Sequence, residues 1–446
     1  MFTKLKLKNY KSLINIELDL TKQNVPKNLI IIYGENGIGK SNLTSVFLTL
    51  MDTLTTMSIK KYIQDIMTDA DSLSKISESD KEGFLEFLSQ RYKDIKTIID
   101  ECKTINSENN MSLEFHFIVN NTLGHYLIEM DNENIVKEEL YYKIDKNRGY
   151  QFKLNKDTEP MLNKKIFFDS NYFIDIKNKI DKFWGKNSLL SIIYEELENS
   201  NESYFEDKLS HNLLNIIKFF TNITCETNIG RNTRIALGTR HMFFSRLEQG
   251  EVSKNEKSEL IATESFLNEV FTSLYSDIKK VYYKIEDQNE TIKYKLYFKK
   301  QICNTLYDIV YSRESTGTLK ILSLIPQLYE AVHGRIVIID EIDSQIHDIL
   351  LKNIILSVNK YIRGQLIITT HNTLLMESNI SNDSLYFLRV NNKTYTKEIL
   401  CLSNYQKRTH PNNNIRSLYL KGLYGGIPVN ESYIDFDELE EILDNE

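Results

Sequence analysis

The sequence predicts an α/β protein, with a mixed sheet flanked by helices and carrying helical insertions. Three observations predict this class. The apolar run Leu29-Ile30-Ile31-Ile32-Tyr33 leads into Gly34-Glu35-Asn36-Gly37-Ile38-Gly39-Lys40-Ser41, which fits G-x-x-x-x-G-K-S throughout, and then into Leu43, Val46, Phe47 and Leu50 at helical spacing. A second apolar run, Ile336-Val337-Ile338-Ile339, ends in Asp340-Glu341. A third, Leu366-Ile367-Ile368, ends in Thr369-Thr370-His371. Apolar runs of this length read as parallel strands buried on both faces, which deliver polar groups at their C-terminal ends.

Taken in order, Phe2 to Lys8 and Ile14 to Leu20 read as two strands joined by Asn9-Tyr10-Lys11-Ser12. The glycine-rich loop and its helix follow. Residues 57–105 are polar and helix-like, with Ile63, Ile66, Phe84, Phe87, Leu88, Ile95 and Ile98 as apolar anchors. From Met111 to Leu154 the pattern alternates, and Asn120-Asn121 and Asp131-Asn132 mark turns, so an antiparallel sheet continuous with the N-terminal strands is expected. Lys165-Ile166-Phe167-Phe168-Asp169 reads as another short strand. Residues 187–290 read as largely helical, with helices at Leu189 to Leu197, Leu213 to Phe220 and Phe266 to Val281. Ser315 suits a helix N-cap before Ile321 to Val332, and Gly317 permits close backbone approach. The expected division is 1–56, the N-terminal strands with the glycine-rich loop; 57–110, a helical insertion; 111–186, an antiparallel sheet; 187–300, a helical lobe; 301–390, the segment with the two later apolar runs; and 391–446, a tail segment.

Composition bounds the partners. The 446 residues are 41% apolar and 26% charged, enough for a large core in two or three domains. No apolar run is long enough to span a membrane, and the alternating N-terminus lacks a signal-peptide core, so a cytoplasmic protein is expected. Cys102, Cys225, Cys303 and Cys401 form no C-x-x-C pair and support neither a zinc site nor a disulfide framework. A net charge of −7 disfavours a DNA binder as a whole, although Arg231, Arg234, Arg240, His241 and Arg246, with Lys218 upstream, could form a local anionic-ligand surface. A solvated helical face is the plainer reading of that cluster. No sustained heptad seam points to a coiled-coil arm.

The chemistry follows from the loop. Backbone N–H groups of such a turn and the positive helix end cradle phosphate oxygens. Gly34, Asn36, Gly37, Gly39, Lys40 and Ser41 are therefore candidate nucleotide-binding residues, with Lys40 reaching the β- and γ-phosphates and Ser41 offering its hydroxyl to Mg²⁺. Asp340 would hold Mg²⁺, and Glu341 would polarise the attacking water as general base. His371 could contact the γ-phosphate or orient that water.

In order, these pieces resemble the heads of ABC-type ATPases, the group that includes the SMC, RecF-like and OLD-like ATPases. Gly34 to Ser41 resembles Walker A, Ser315-Thr316-Gly317-Thr318 the signature motif, Ile336 to Glu341 Walker B, Asp343 to His347 the D-loop and His371 the switch histidine. Asn9 to Ser12 resembles the N-terminal nucleotide-contacting segment of the RecF-like branch, which implies that Lys11 or Ser12 touches nucleotide. The stretch Phe168 to Asn171 stands nearest to a Q-loop. His410-Pro411-Asn412 and Ile415 to Pro428, with its Tyr424-Gly425-Gly426-Ile427-Pro428, look like the tail of abortive-infection ATPases similar to the ATP-binding subunits of AbiL, RloA-type and PARIS systems. The resemblance implies a P-loop NTPase that binds and hydrolyses ATP with Mg²⁺. It further implies a homodimer or higher homo-oligomer in which Ser315 and Gly317 of one copy close over ATP on another. A separate effector, often a Toprim-type nuclease, and a phage-encoded trigger are the implied partners. Only 75 residues follow His371, fewer than a Toprim domain of roughly 100 residues needs, so the nuclease is expected on another chain. Asp435 to Glu446, with seven acids and no base, reads as a solvated or partner-binding tail. A RecF-like DNA-maintenance ATPase is the alternative.

Overall fold

A computed structural model describes residues 1–68, 93–198, 205–229, 232–236, 246–288, 290–391, 393–405 and 414–427. Its centre is a seven-stranded sheet whose five middle strands run parallel. They are β11 (Ile223–Ile229), β17 (Ile336–Ile339), β18 (Gln365–Thr369), β5 (Leu29–Tyr33) and β19 (Leu385–Val390). Antiparallel strands β12 (Asn232–Ala236) and β20 (Lys397–Cys401) close the two edges.

The apolar runs seen in the sequence are apolar throughout because the sheet is covered on both faces. Alternate residues feed two separate cores. Ile30, Ile32, Ile338 and Ile367 pack into one. Leu29, Ile31, Tyr33, Val337, Ile339, Leu366 and Ile368 pack into the other.

The first core also takes α1 (Lys40–Thr68), α2 (Ile95–Cys102) and a second, antiparallel sheet. That sheet runs β10 (Thr158–Leu162), β9 (Arg148–Asn155), β8 (Ile135–Lys143), β7 (Thr122–Met130), β6 (Met111–Val119), β1 (Phe2–Tyr10) and β2 (Leu13–Asp19). It is continuous with the N-terminal strands, as the alternation predicts. The register pairs Leu5 with Phe115 and Leu7 with Leu113, and all four side chains are buried. A two-residue ribbon, β3 (Thr21–Lys22) with β4 (Val25–Pro26), links β2 to β5. The helices α3 (Ser170–Phe183), α4 (Leu189–Glu198) and α5 (His211–Thr221) complete this side.

The second core lies under α6 (Lys257–Leu274), α7 (Thr316–Val332), α8 (Asp348–Asn359) and a small sheet of β13 (Gln249–Ser253), β15 (Thr291–Ile302), β14 (Ile278–Asp287) and β16 (Thr305–Val310). Two short C-terminal helices, α9 (Leu402–Tyr405) and α10 (Ile415–Leu420), pack against it.

Four expectations are corrected. Lys165–Asp169 is not a strand. Asn163 opens a single tight turn over Lys164–Ile166, Phe167 makes one isolated bridge to Leu209, and Asp169 caps α3 by accepting the Asn171 and Tyr172 N–H groups. The helix expected from Phe266 to Val281 ends at Leu274, because Val281 and Tyr283 alternate into the core as part of β14. The span 187–300, read as a helical lobe, holds β11 to β15 beside its helices. Within the arginine cluster, residues 232–236 are an edge strand rather than a helical face, while Arg231, Arg240 and His241 lie outside the described residues. Phe84, Phe87, Leu88, the His410-Pro411-Asn412 segment, Pro428 and the acidic 435–446 stretch also lie outside them. Among the described residues no helix is long and apolar enough to cross a membrane.

Candidate functional site

The order β17-β18-β5 brings the C-terminal ends of three parallel strands side by side. Residues 34–39, Asp340-Glu341 and Thr370-His371 therefore leave the sheet at one edge, where α/β sheets hold their ligands.

The glycines are required by geometry. Gly37 and Gly39 have φ of +76° and +112°, a region that L-residues rarely adopt. A Cβ on Gly34 would lie 2.8 Å from the Leu388 carbonyl oxygen. Lys40 opens α1, and its buried ammonium folds back to the carbonyls of Gly34 at 2.8 Å and Glu35 at 3.0 Å. Burial pulls the Lys40 pKa down, and Glu341, Asp340, Asp343 and Glu35 pull it back up. Ser41 is half-buried in the first turn, and Asn36 is exposed on the loop.

Asp340 is 2% exposed. Its Oδ1 accepts the Thr369 hydroxyl at 2.6 Å, and its backbone N–H donates to the Glu226 carbonyl at 2.9 Å. Its Oδ2 is buried and accepts no hydrogen bond among the described residues. A buried carboxylate oxygen without a donor is costly. Mg²⁺ characteristically takes one or two carboxylates and leaves its other positions to phosphate and water. Asp340 with Ser41 fits that donor set. Among the described residues no group of three His, Cys, Asp or Glu side chains could hold a metal by itself.

Glu341 is held at φ +48°, an uncommon value for a residue with a Cβ, and its N–H donates to Thr369 Oγ1 at 2.7 Å. Thr369 so bridges both acids. The His371 N–H donates to Asp343 Oδ2 at 3.0 Å, which ties the end of β18 to the turn after β17. Asp343 Oδ1 is buried and accepts no hydrogen bond among the described residues. Burial and the Lys40 charge lower the His371 pKa, against the opposing pull of Asp343, Glu341 and Asp340.

Ser315 and Gly317 lie elsewhere. Ser315 caps α7, its hydroxyl accepting the Thr318 N–H at 3.2 Å. A Cβ on Gly317 would lie 2.8 Å from the Gln345 carbonyl oxygen. Among the described residues no hydrogen bond joins either of them to the phosphate loop. Their helix is instead anchored to the sheet: Lys320 Nζ lies 2.5 Å from Glu226 Oε1, and Gln327 donates to the same carboxylate. Lys11 turns away from the loop and donates to Ser45 Oγ, one turn into α1, at 3.0 Å. Ser12 stays at the loop, 3.0 Å from where a Gly39 Cβ would be. Asp169 caps α3 and Asn171 is exposed.

Sequence reasoning missed Thr369, Glu226, Lys397 and the seat of the tail. The Tyr419 hydroxyl donates to the Gly426 carbonyl at 2.8 Å, and a Cβ on Gly426 would sit 3.2 Å from Gly34 Cα. Tyr33 stacks against Phe387 at 5.8 Å and packs tilted against Tyr419 at 5.9 Å, while Phe387 stacks on Tyr424 at 5.0 Å. The double glycine at 425–426 was the one sequence signal for this contact.

A family model described as "AAA domain, putative AbiEii toxin, Type IV TA system" matches residues 29–377, from the strand before the loop to just past His371. A comparison with curated proteins gives no match. Similar solved structures include the SMC head domain from Thermotoga maritima, at 14% identity and TM-score 0.39, with 90% of this chain and 98% of that one covered. An Smc head domain with an extended coiled coil, bound to the C-terminal domain of ScpA derived from Pyrococcus furiosus, matches at 13% identity and TM-score 0.41, with 91% and 98% covered.

Proposed function

The chain belongs to this AAA-domain family, and from that premise we propose that it is an ATP-binding and ATP-hydrolysing subunit of an abortive-infection, anti-phage defence system. In this reading it works as a homodimer or higher homo-oligomer and controls a separate effector, a Toprim-type nuclease or another toxin. One observation carries the ATPase reading: Lys40, Asp340, whose Oδ2 accepts no hydrogen bond among the described residues, Glu341 and His371 converge at one edge of the central sheet. The defence role is supported by the family's description and by the tail's likeness to abortive-infection ATPases.

Lys40 and the loop N–H groups would bind the β- and γ-phosphates. Mg²⁺ at Asp340 and Ser41 would neutralise charge between those phosphates. Glu341 accepts the proton of the attacking water, and His371, neutral because its pKa is lowered, can accept or donate one hydrogen bond at the γ-phosphate. In this reading Ser315 and Gly317, which make no hydrogen bond to their own loop among the described residues, would close over the loop of a second copy.

The test is Glu341→Gln. ATP binding should persist while hydrolysis falls by about a hundredfold or more, the usual worth of a general base. Hydrolysis at the wild-type rate would overturn the role of Glu341. Lys40→Ala should abolish nucleotide binding, and the same variant should abolish protection in plaque assays with the neighbouring genes present. Protection that survives Lys40→Ala would separate any defence role from ATP.

A second reading, a RecF-like ATPase that binds DNA, is favoured by one feature. Lys143, Lys146 and Arg148 line a surface cleft with Asn121 and Thr122 at the hairpin tips of the antiparallel sheet. Duplex affinity that falls steeply with salt in a filter-binding assay would support it over the first.

A further inference from the structure

We propose that Lys397 is a nucleotide-binding residue that holds the α-phosphate, at the end of the phosphate loop opposite Lys40. The proposal rests on the ATP-binding reading above and assigns a contact that neither the loop motif nor the acidic pair supplies.

Lys397 begins β20, at the edge of the central sheet, and pairs with Val390 on β19. Its Nζ donates to Ser12 Oγ at 2.7 Å. The same hydroxyl accepts Asn42 Nδ2 at 2.7 Å. A Cβ on Gly39 would lie 3.4 Å from Lys397 Nζ and 3.0 Å from Ser12 Oγ. Three segments remote in sequence therefore meet at the last glycine of the loop: the turn after β1, the first turn of α1 and the start of β20.

The charge there is unbalanced. Glu398, the next residue, points to the other side of the strand and pairs with Arg389 at 2.6 Å. Among the described residues Lys397 makes no ion pair. Burial alone lowers its pKa, with no carboxylate opposing it. A phosphate oxygen is the ligand class that complements this unpaired cation, through a charge-assisted hydrogen bond.

The two ends of the loop are chemically distinct. At one end Lys40 lies over Gly34 and Glu35, near Asp340, Glu341 and Asp343, where the γ-phosphate and the attacking water belong. The other end, at Gly39 and Asn42, has Lys397 and Ser12 and, among the described residues, no acid bonded to either. A nucleoside triphosphate laid along the loop with its γ-phosphate at Lys40 brings its α-phosphate to Lys397.

Titration calorimetry of the full chain with ATP and with ADP tests this. Both nucleotides carry the α-phosphate, so Lys397→Ala should weaken both by the same factor, about tenfold or more for a lost charged hydrogen bond. Lys397→Arg should recover most of the loss, and the melting temperature without nucleotide should not change. In a Ser12→Ala background the Lys397→Ala loss should persist, because the contact is to phosphate and not made through Ser12. Affinities for both nucleotides within about twofold of wild type would overturn the assignment, and so would a loss that vanishes in the Ser12→Ala background. Either result, with wild type binding ATP and Lys40→Ala failing to, leaves the ATP reading intact. Wild-type protein that binds neither nucleotide overturns that reading and this assignment together.

Discussion

Glu138 shows how burial sets the behaviour of a single residue. It is fully buried in β8, where Oε1 accepts the Tyr126 hydroxyl at 3.0 Å and the Leu190 N–H at 3.4 Å, while Oε2 accepts Trp184 Nε1 at 2.9 Å and the Leu189 N–H at 2.7 Å. Burial pushes its pKa up to about 7, against the pull of those four donors. The folded value lies above the unfolded one, so folded protein binds the extra proton between about pH 4.5 and 7. Its contribution to stability is therefore greatest at low pH and falls by about 3 kcal/mol as pH rises through that window. Denaturant titrations at pH 5 and pH 8 should show this decline in wild type and a flatter profile in Glu138→Gln. Parallel profiles would remove Glu138 as the cause. Glu114 acts in the opposite sense: its hydrogen bond with His116 and that with Lys6 hold it down at about 2, so its contribution is present above pH 4.5 and is lost on acidification. At this scale Lys40, Asp340, Glu341 and His371 were legible because each ends or follows an apolar run. Thr369 and Glu226 were not, since a threonine and a glutamate inside strands become informative only when their partners on neighbouring strands are known.

At the scale of elements, strand identity followed from how many faces are buried. β5, β17 and β18 are covered on both faces and read as apolar runs, and β6 to β8 are covered on one and read as alternation. The element between α7 and the site is subtler. Glu226 on β11 receives Lys320 and Gln327 from α7 through its side chain and the Asp340 N–H through its carbonyl. Replacing it with Ala leaves Lys320 unpaired near the core and should cost about 3 kcal/mol in urea unfolding. A loss under about 1 kcal/mol would mean that α7 is held by packing alone. The tail gives a paired experiment. Gly422 and Gly426 have nearly the same φ, +76° and +75°, so Ala at either should strain the backbone by about 1 kcal/mol. A Cβ on Gly422 meets nothing nearer than 3.6 Å, whereas one on Gly426 meets Gly34 Cα at 3.2 Å. Both variants should lose stability in thermal melts, and only Gly426→Ala should also weaken ATP binding. Equal ATP affinities would detach the tail from the phosphate loop.

At the scale of the molecule, one sheet separates two cores, and the candidate nucleotide-binding groups sit at the C-terminal ends of its parallel strands. If ATP joins two copies, light scattering of Glu341→Gln should show the mass doubling when ATP is added, and Lys40→Ala should stay unchanged. Ser315→Arg should block doubling and hydrolysis while a single chain still binds ATP, because among the described residues Ser315 hydrogen-bonds to Glu314 and the first turns of α7 and not to its own phosphate loop. A mass indifferent to ATP would sink the shared-site model. The sequence by itself determined the phosphate loop, the acidic and histidine-bearing strand ends and the alternating sheet, because each is a local pattern of spacing and polarity. Only the tertiary structure decided that β11 completes the parallel sheet, that Lys397 and Gly426 reach the two ends of the loop, and that residues 165–169 are a turn and a cap. The sheet order and the two loop contacts depend on partners remote in sequence, whose contribution no local window contains, and the turn at 165–169 depends on the Asp169 side chain meeting the first N–H groups of α3.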